Sequence, residues 1–245
     1  MPLMSGILNH REKIMGARIL NGIELLPDDG PAKQLFVLLH GVGAKSSDLL
    51  PLAYQFRKAF PRGAFVLPEG IYPYESGNPV GDRDNRRQWF PLIGITEENR
   101  PARVAESMPA LHELVKQAQN RHRILQSDTA LIGFSQGAIM ALEYSIVHDG
   151  CVGRVLSFSG RFARLPENAP DLTTLHLFHG EDDPVIPVSH AYAAYNRLTE
   201  LHGDATLDIA SSVGHEIHAA LAERAIYRMQ TCIPLRSWRN ALNIA

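Results

Sequence analysis

A rhythm in the chain constrains its fold more than any single motif. Short apolar runs that do not alternate with polar residues occur at Gln34–Leu39, Ala64–Leu67, Thr129–Phe134, Arg154–Phe158, Thr174–Phe178 and Thr206–Ala210. A strand covered on both faces has no polar side, so such runs suit the interior of a parallel sheet. Between them, Val104, Met108, Leu111, Val115 and Ala118 step by four and three and share one helical face. Ala191, Ala194, Leu198 and Leu201 repeat the pattern, as do Ile217, Leu221, Ala225 and Met229. Strand and helix in alternation predict βαβ units: an α/β fold with helices on both faces of a mostly parallel sheet. A length of 245 residues fits one such domain.

Charge narrows the function. Twenty-four basic and 26 acidic residues, well mixed, give a formal charge of −2 and no basic stripe for nucleic acid or an anionic membrane. The two cysteines, Cys151 and Cys232, form no CxxC pair and no zinc-spaced cluster, so they read as reduced thiols and no metal is expected. The first residues lack the basic and apolar regions of a secretion signal, and no apolar run is long enough to span a bilayer. The expectation is a cytoplasmic protein without stable membrane insertion. Residues 1–14 read as a flexible extension preceding a single domain over 15–245. From Glu69 to Arg100 no helix or strand is evident, only Pro, Gly, Tyr and charge around Trp89-Phe90. A loop of this length after a parallel strand is expected to border a binding site.

Residues 133–137 read Gly-Phe-Ser-Gln-Gly, a G-x-S-x-G pattern. By itself the pattern is weak. Its setting is specific: an apolar run precedes it, and the helix formers of Ala138–Glu143 follow. Strand, sharp turn and helix would lift the Ser135 hydroxyl above the sheet and aim a helix N-terminus at developing negative charge. A serine needs a base, and the base an orienting acid, in the chain order serine, acid, histidine. An acidic cluster, His179–Pro187, follows the run at 174–178, and Ser211–His215 follows the run at 206–210. His215 is thereby the candidate base, with His218 one turn later as its close competitor. Backbone donors for an oxyanion are expected at Val42, after the His40-Gly41 turn, and at Gln136, after the nucleophile. Gly41 and Gly43 belong to no GxGxxG or GKS/T pattern, which disfavours a nucleotide site.

These blocks resemble the serine carboxylesterase/phospholipase family of α/β hydrolases, which includes acyl-protein thioesterases, and within it a bacterial carboxylesterase branch. The resemblance is carried by His40–Gly43, Arg87–Phe90, Gly94–Arg100, Leu131–Leu142, His179–Pro187 and Gly214-His215, in order over residues 33–233. It implies an α/β-hydrolase fold without a separate cap domain, action on carboxylic esters or thioesters, and no cofactor. It implies Ser135 as nucleophile, Asp183 as acid and His215 as base. Pro184 supports Asp183 over Asp182, because a residue before proline is held extended. The stretch Asp82–Arg86 is longer than the family pattern, which bears on substrate preference. Trp89 and Phe90 are expected either to wall an acyl pocket or to pin their loop to the core. The expected partner is a small acyl ester. The rival readings are a dienelactone-type or acyl-protein deacylating hydrolase, and a silent fold used as a binding module.

Overall fold

The computed structural model describes residues 21–75 and 85–242. The expectation for residues 1–14, and most of that for Asp82–Arg86, lies outside these residues. Seven strands form the main sheet: β1 (Gly22–Leu25), β2 (Gln34–Leu39), β3 (Gly63–Pro68), β6 (Thr129–Phe134), β7 (Arg154–Phe158), β8 (Thr174–Gly180) and β9 (Ala205–Ala210). Their spatial order is β1-β3-β2-β6-β7-β8-β9, and only the β1 edge is antiparallel. The helices are α1 (Leu50–Ala59), α2 (Arg100–His122), α3 (Gln136–Val147), α4 (Ser189–Glu200), α5 (Ala219–Thr231) and α6 (Leu235–Leu242).

Both faces of the sheet are covered, as the unalternating runs require. Within β2, Leu35, Val37 and Leu39 pack in the cluster containing Val104 and Leu111 of α2, Met140 of α3 and Leu198 of α4. Phe36 and Leu38 point the other way, joining Phe56 of α1 and Leu221 and Ala225 of α5. Phe36 stacks on Phe65 of the neighbouring strand with centroids 4.8 Å apart. Burying such side chains on both sides stabilises the sheet by about 1.5–3 kcal/mol per large residue relative to exposure.

One expectation is corrected. The Glu69–Arg100 segment contains a pair of two-residue strands, β4 (Tyr72–Pro73) antiparallel to β5 (Arg87–Gln88), and the bridge Ala44↔Arg87 ties it to the loop after β2. Strands this short carry no legible periodicity. Arg87 holds the segment from within, its Nε and Nη2 donating to the carbonyls of Gly70 and Ile71 at 2.9 Å.

The carboxyl ends of the parallel strands share one edge, and two of them set the site. β8 runs on to Gly180, where it pairs with Ala210 at the end of β9. The following loops interlock: the Glu181 amide donates to Ala210 O and the Asp182 amide to Val213 O, both at 2.9 Å. A side chain on Gly180 would put a carbon 2.3 Å from Val213 O, so this close approach requires glycine. No helix among the described residues is long and apolar enough to cross a membrane.

Candidate active site

Ser135 sits between β6 and α3 at φ 52°, ψ −114°, a backbone region that a side chain normally avoids. Such strain costs on the order of 1–3 kcal/mol and persists only where the surroundings enforce it. They do so here through the flanking glycines. A carbon on Gly137 would fall 2.2 Å from Leu39 O, and one on Gly133 would fall 2.3 Å from Gly137 O. Helix and strands therefore meet too closely for any other residue, and the turn between them must be sharp.

His215 reaches Ser135 from the loop after β9. Its Nε2 lies 2.9 Å from Ser135 Oγ, and its Nδ1 lies 2.7 Å from Asp183 Oδ2. Asp183 is held firmly: its Oδ1 accepts from the amides of Val185 at 2.8 Å and Ile186 at 2.9 Å. Burial opposes ionisation of this carboxyl, but the hydrogen bonds from His215, Ile186 and Val185 outweigh it and hold the pKa below the ordinary aspartate value. Asp182 is exposed and, among the described residues, engages the fold only through its backbone. His218 is placed elsewhere, as the N-cap of α5, with Nδ1 accepting from the Ala220 amide at 3.2 Å.

The loop after β2 lies against the nucleophile. A carbon on Gly41 would be 3.5 Å from Ser135 Cβ. Gly43 is left-handed at φ +69°, which turns the chain so that its amide donates to Arg87 O at 2.9 Å. Val42 and Gln136 line one cavity of about 180 Å³ together with Ser135. Among the described residues neither of their amides donates to another protein group.

The aromatic pair divides. Phe90 lines the cavity, alongside Leu92, Ile139, Val185 and Ile186, whereas Trp89 is fully buried and does not line it. The Trp89 indole donates to His40 O at 2.8 Å, fixing the carbonyl just before the Gly41 turn.

Three buried side chains that support the site were not singled out from the sequence. The Gln136 side chain accepts from the Trp89 amide and donates to Phe90 O, both at 2.7 Å, clamping the loop to the residue after the nucleophile. His40 Nε2 accepts from the Gly70 amide at 2.9 Å, so Nδ1 carries the proton and donates to Gly41 O at 2.7 Å. Burial lowers its pKa, which keeps it neutral. His179 Nε2 faces Ile186 O at 2.8 Å and Asp183 Oδ2 at 3.3 Å. Both are acceptors, so that nitrogen is the protonated one. These roles depend on neighbours up to 47 residues away, and no local pattern announces them.

The described residues contain no group of three or more His, Cys, Asp or Glu side chains arranged to hold a metal. A hydroxyl, an imidazole and a carboxylate in a hydrogen-bonded line, opening into a partly apolar cavity beside two free amides, are equipped for acyl transfer.

Known proteins resemble the chain in sequence and in fold. The sequence pattern of the Phospholipase/Carboxylesterase family matches residues 21–233. Esterase YpfH of Escherichia coli is 43% identical over 215 residues, covering 88% of this chain and 90% of the relative. Acyl-protein thioesterase 1 of Eremothecium gossypii is 27% identical, over 80% of this chain and 86% of its own. Among solved structures, esterase PE8 matches with a TM-score of 0.77 at 31% identity, over 86% of this chain and 98% of that one. The Bacillus cereus carboxylesterase, at a TM-score of 0.71 and 18% identity over 86% and 93%, shares the fold. The chain belongs to the phospholipase/carboxylesterase family of α/β hydrolases.

Proposed function

We propose that this α/β hydrolase cleaves carboxylic esters through an acyl-enzyme on Ser135. Esterase activity follows from its family and from its likeness to the Escherichia coli esterase. In the proposed cycle His215 Nε2 takes the Ser135 proton as Oγ attacks the carbonyl carbon. Asp183 holds the imidazole in the required tautomer and stabilises the imidazolium, without itself being protonated. The amides of Val42 and Gln136 receive the oxyanion, a contribution worth about 10²–10³ in rate for one donor. Collapse breaks the ester bond, and the departing alcohol leaves with the proton from His215. Water then attacks the acyl-serine, His215 takes its proton and returns it to Ser135 Oγ, and the acid departs.

The observation that carries this reading is the Ser135–His215–Asp183 line, with both contacts under 3 Å and Ser135 in the wall of a cavity. The reading takes residues 15–245 as one hydrolase domain acting on a small ester substrate. The cytoplasm, where free thiols such as Cys151 and Cys232 persist, is the proposed site of action. Thioesters fall within the same chemistry, a reading favoured by the resemblance to acyl-protein thioesterases. Labelling with a fluorophosphonate tests the assignment: the phosphonyl mass is expected on the peptide containing Ser135 and absent from Ser135→Ala. Label retained by the variant, or none on the wild type, contradicts it.

A further inference from the structure

The cavity beside Ser135 is not purely apolar. Arg100, Arg161 and His190 also line it, and the two arginines hold the carboxylate of Glu97. Arg161 is engaged by protein: Nε donates to Phe162 O at 3.1 Å, and Nη1 and Nη2 to the two Glu97 oxygens at 3.2 and 2.5 Å. Arg100 is not. Its Nη2 donates to Glu97 Oε1 at 2.8 Å, but its Nε is buried and meets no acceptor among the described residues. A guanidinium carries five N–H donors, and a buried one without a partner is costly.

Charge leads to the same place. Two arginines face one carboxylate, leaving one positive charge uncompensated. Glu97 is ionised, its pKa pushed down to about 2 by the hydrogen bonds from Arg161 and Arg100. His190 stays neutral, because burial and the nearby Arg161 lower its pKa. The surplus is a single charge, which matches a carboxylate better than a phosphate monoester of charge about −1.5 to −2. At about 180 Å³ the cavity is smaller than the roughly 300–1,000 Å³ that holds drug-sized ligands, so the ester it accepts is short.

From these observations we infer that the enzyme takes short esters bearing a free carboxylate, which Arg100, in the wall of the same cavity as Ser135, recognises. The inference rests on the ester-hydrolase reading of Ser135 and specifies its substrate class. Phe90, Leu92 and Ile139 contact the connecting methylenes. Arg100 is a specificity residue that takes no part in bond making.

The carboxylate can belong to the acyl or to the alcohol half, and two matched pairs of esters separate these sources. The acyl pair is mono-p-nitrophenyl glutarate against p-nitrophenyl valerate; the alcohol pair is 4-carboxyphenyl butyrate against phenyl butyrate. In one pair the ratio of kcat/KM, charged over neutral, is expected to fall at least about tenfold in Arg100→Gln, mainly through KM, as loss of a charge-assisted hydrogen bond requires. Arg100→Lys should recover part of that ratio. A merely structural role at the start of α2 lowers both members of each pair together and leaves the ratio unchanged in both pairs, which overturns the inference. A second measurement needs no variant. Free glutarate should inhibit neutral-ester hydrolysis by the wild type more strongly than glutaramide does, and the advantage should shrink in about 0.5 M salt. Equal inhibition by the two also overturns the inference. If no ester of either pair, charged or neutral, is hydrolysed, the ester-hydrolase reading itself fails.

Discussion

Gln136→Met removes a polar clamp while nearly preserving side-chain volume. The wild-type amide makes two buried bonds of 2.7 Å, accepting from the Trp89 N–H and donating to the Phe90 carbonyl. Gln136 is 3% exposed, and Trp89 and Phe90 are fully buried, so water does not replace the lost partner. Each backbone group left unpaired costs about 1–3 kcal/mol. Two such groups make about 2–6 kcal/mol, because the thioether of methionine is a weak acceptor and no donor. At roughly 2–4 °C per kcal/mol for a protein of this size, Tm should fall by at least about 4 °C. Thermal unfolding followed by circular dichroism, with urea unfolding as a check, reads the change. A shift in the urea midpoint without a change of slope identifies a stability effect. A Tm within about 1 °C of wild type would refute the reasoning, since it would mean that the two backbone groups find other partners at no cost.

Asp183→Asn should lower kcat by about 10⁴, since an amide favours the wrong histidine tautomer, whereas exposed Asp182→Asn should cost less than about tenfold; ester hydrolysis by the two variants checks the order, and its reversal moves the acid by one residue. Phe90→Ala should raise the preference for longer over shorter acyl esters by opening the cavity that Phe90 lines. Trp89→Phe, which leaves the His40 carbonyl unpaired, should cost about 1–3 kcal/mol of stability with little change in that preference; melting curves and a chain-length series separate the two. His176, buried in β8, accepts from Arg154 at 3.0 Å and donates to Thr206 at 2.8 Å, and burial followed by the Arg154 charge pushes its pKa down to about 3. Its unfolded pKa is about 6.5, so between these values the unfolded chain binds the extra proton and stability falls with acidification, by up to about 1.4 kcal/mol per pH unit. In His176→Gln that slope should flatten, and urea unfolding at about pH 6 and about pH 4.5 measures it.

What the sequence made legible follows from the range of the interactions involved. β2 and β6 are buried on both faces, so their runs read as strands at the residues observed, Gln34–Leu39 and Thr129–Phe134. β1 has only intermediate or exposed residues on an antiparallel edge, and its four residues carry no comparable signal. The helix α1 begins with proline in its first turn and has only three buried residues, too few for its period to stand out. At the site, the order of serine, acid and histidine is legible because each follows a strand that reads clearly. The partners of Gln136 and His40 are set by loops folded across the sheet edge, where side chains distant in sequence become neighbours. The sequence favours His215 over His218 by its place directly after the run at 206–210, and in three dimensions His215 faces Ser135 while His218 caps a helix.

The central claim is that the Ser135 hydroxyl is the nucleophile. Ester hydrolysis by Ser135→Ala, compared with wild type at equal concentrations of folded protein, tests it most directly. Because the three groups act as a unit, the account predicts a loss of at least about 10⁴ in kcat with the melting temperature preserved. Retention of even about a tenth of wild-type turnover by the folded variant would contradict it, because the remaining hydroxyls and the oxyanion donors supply no comparable route.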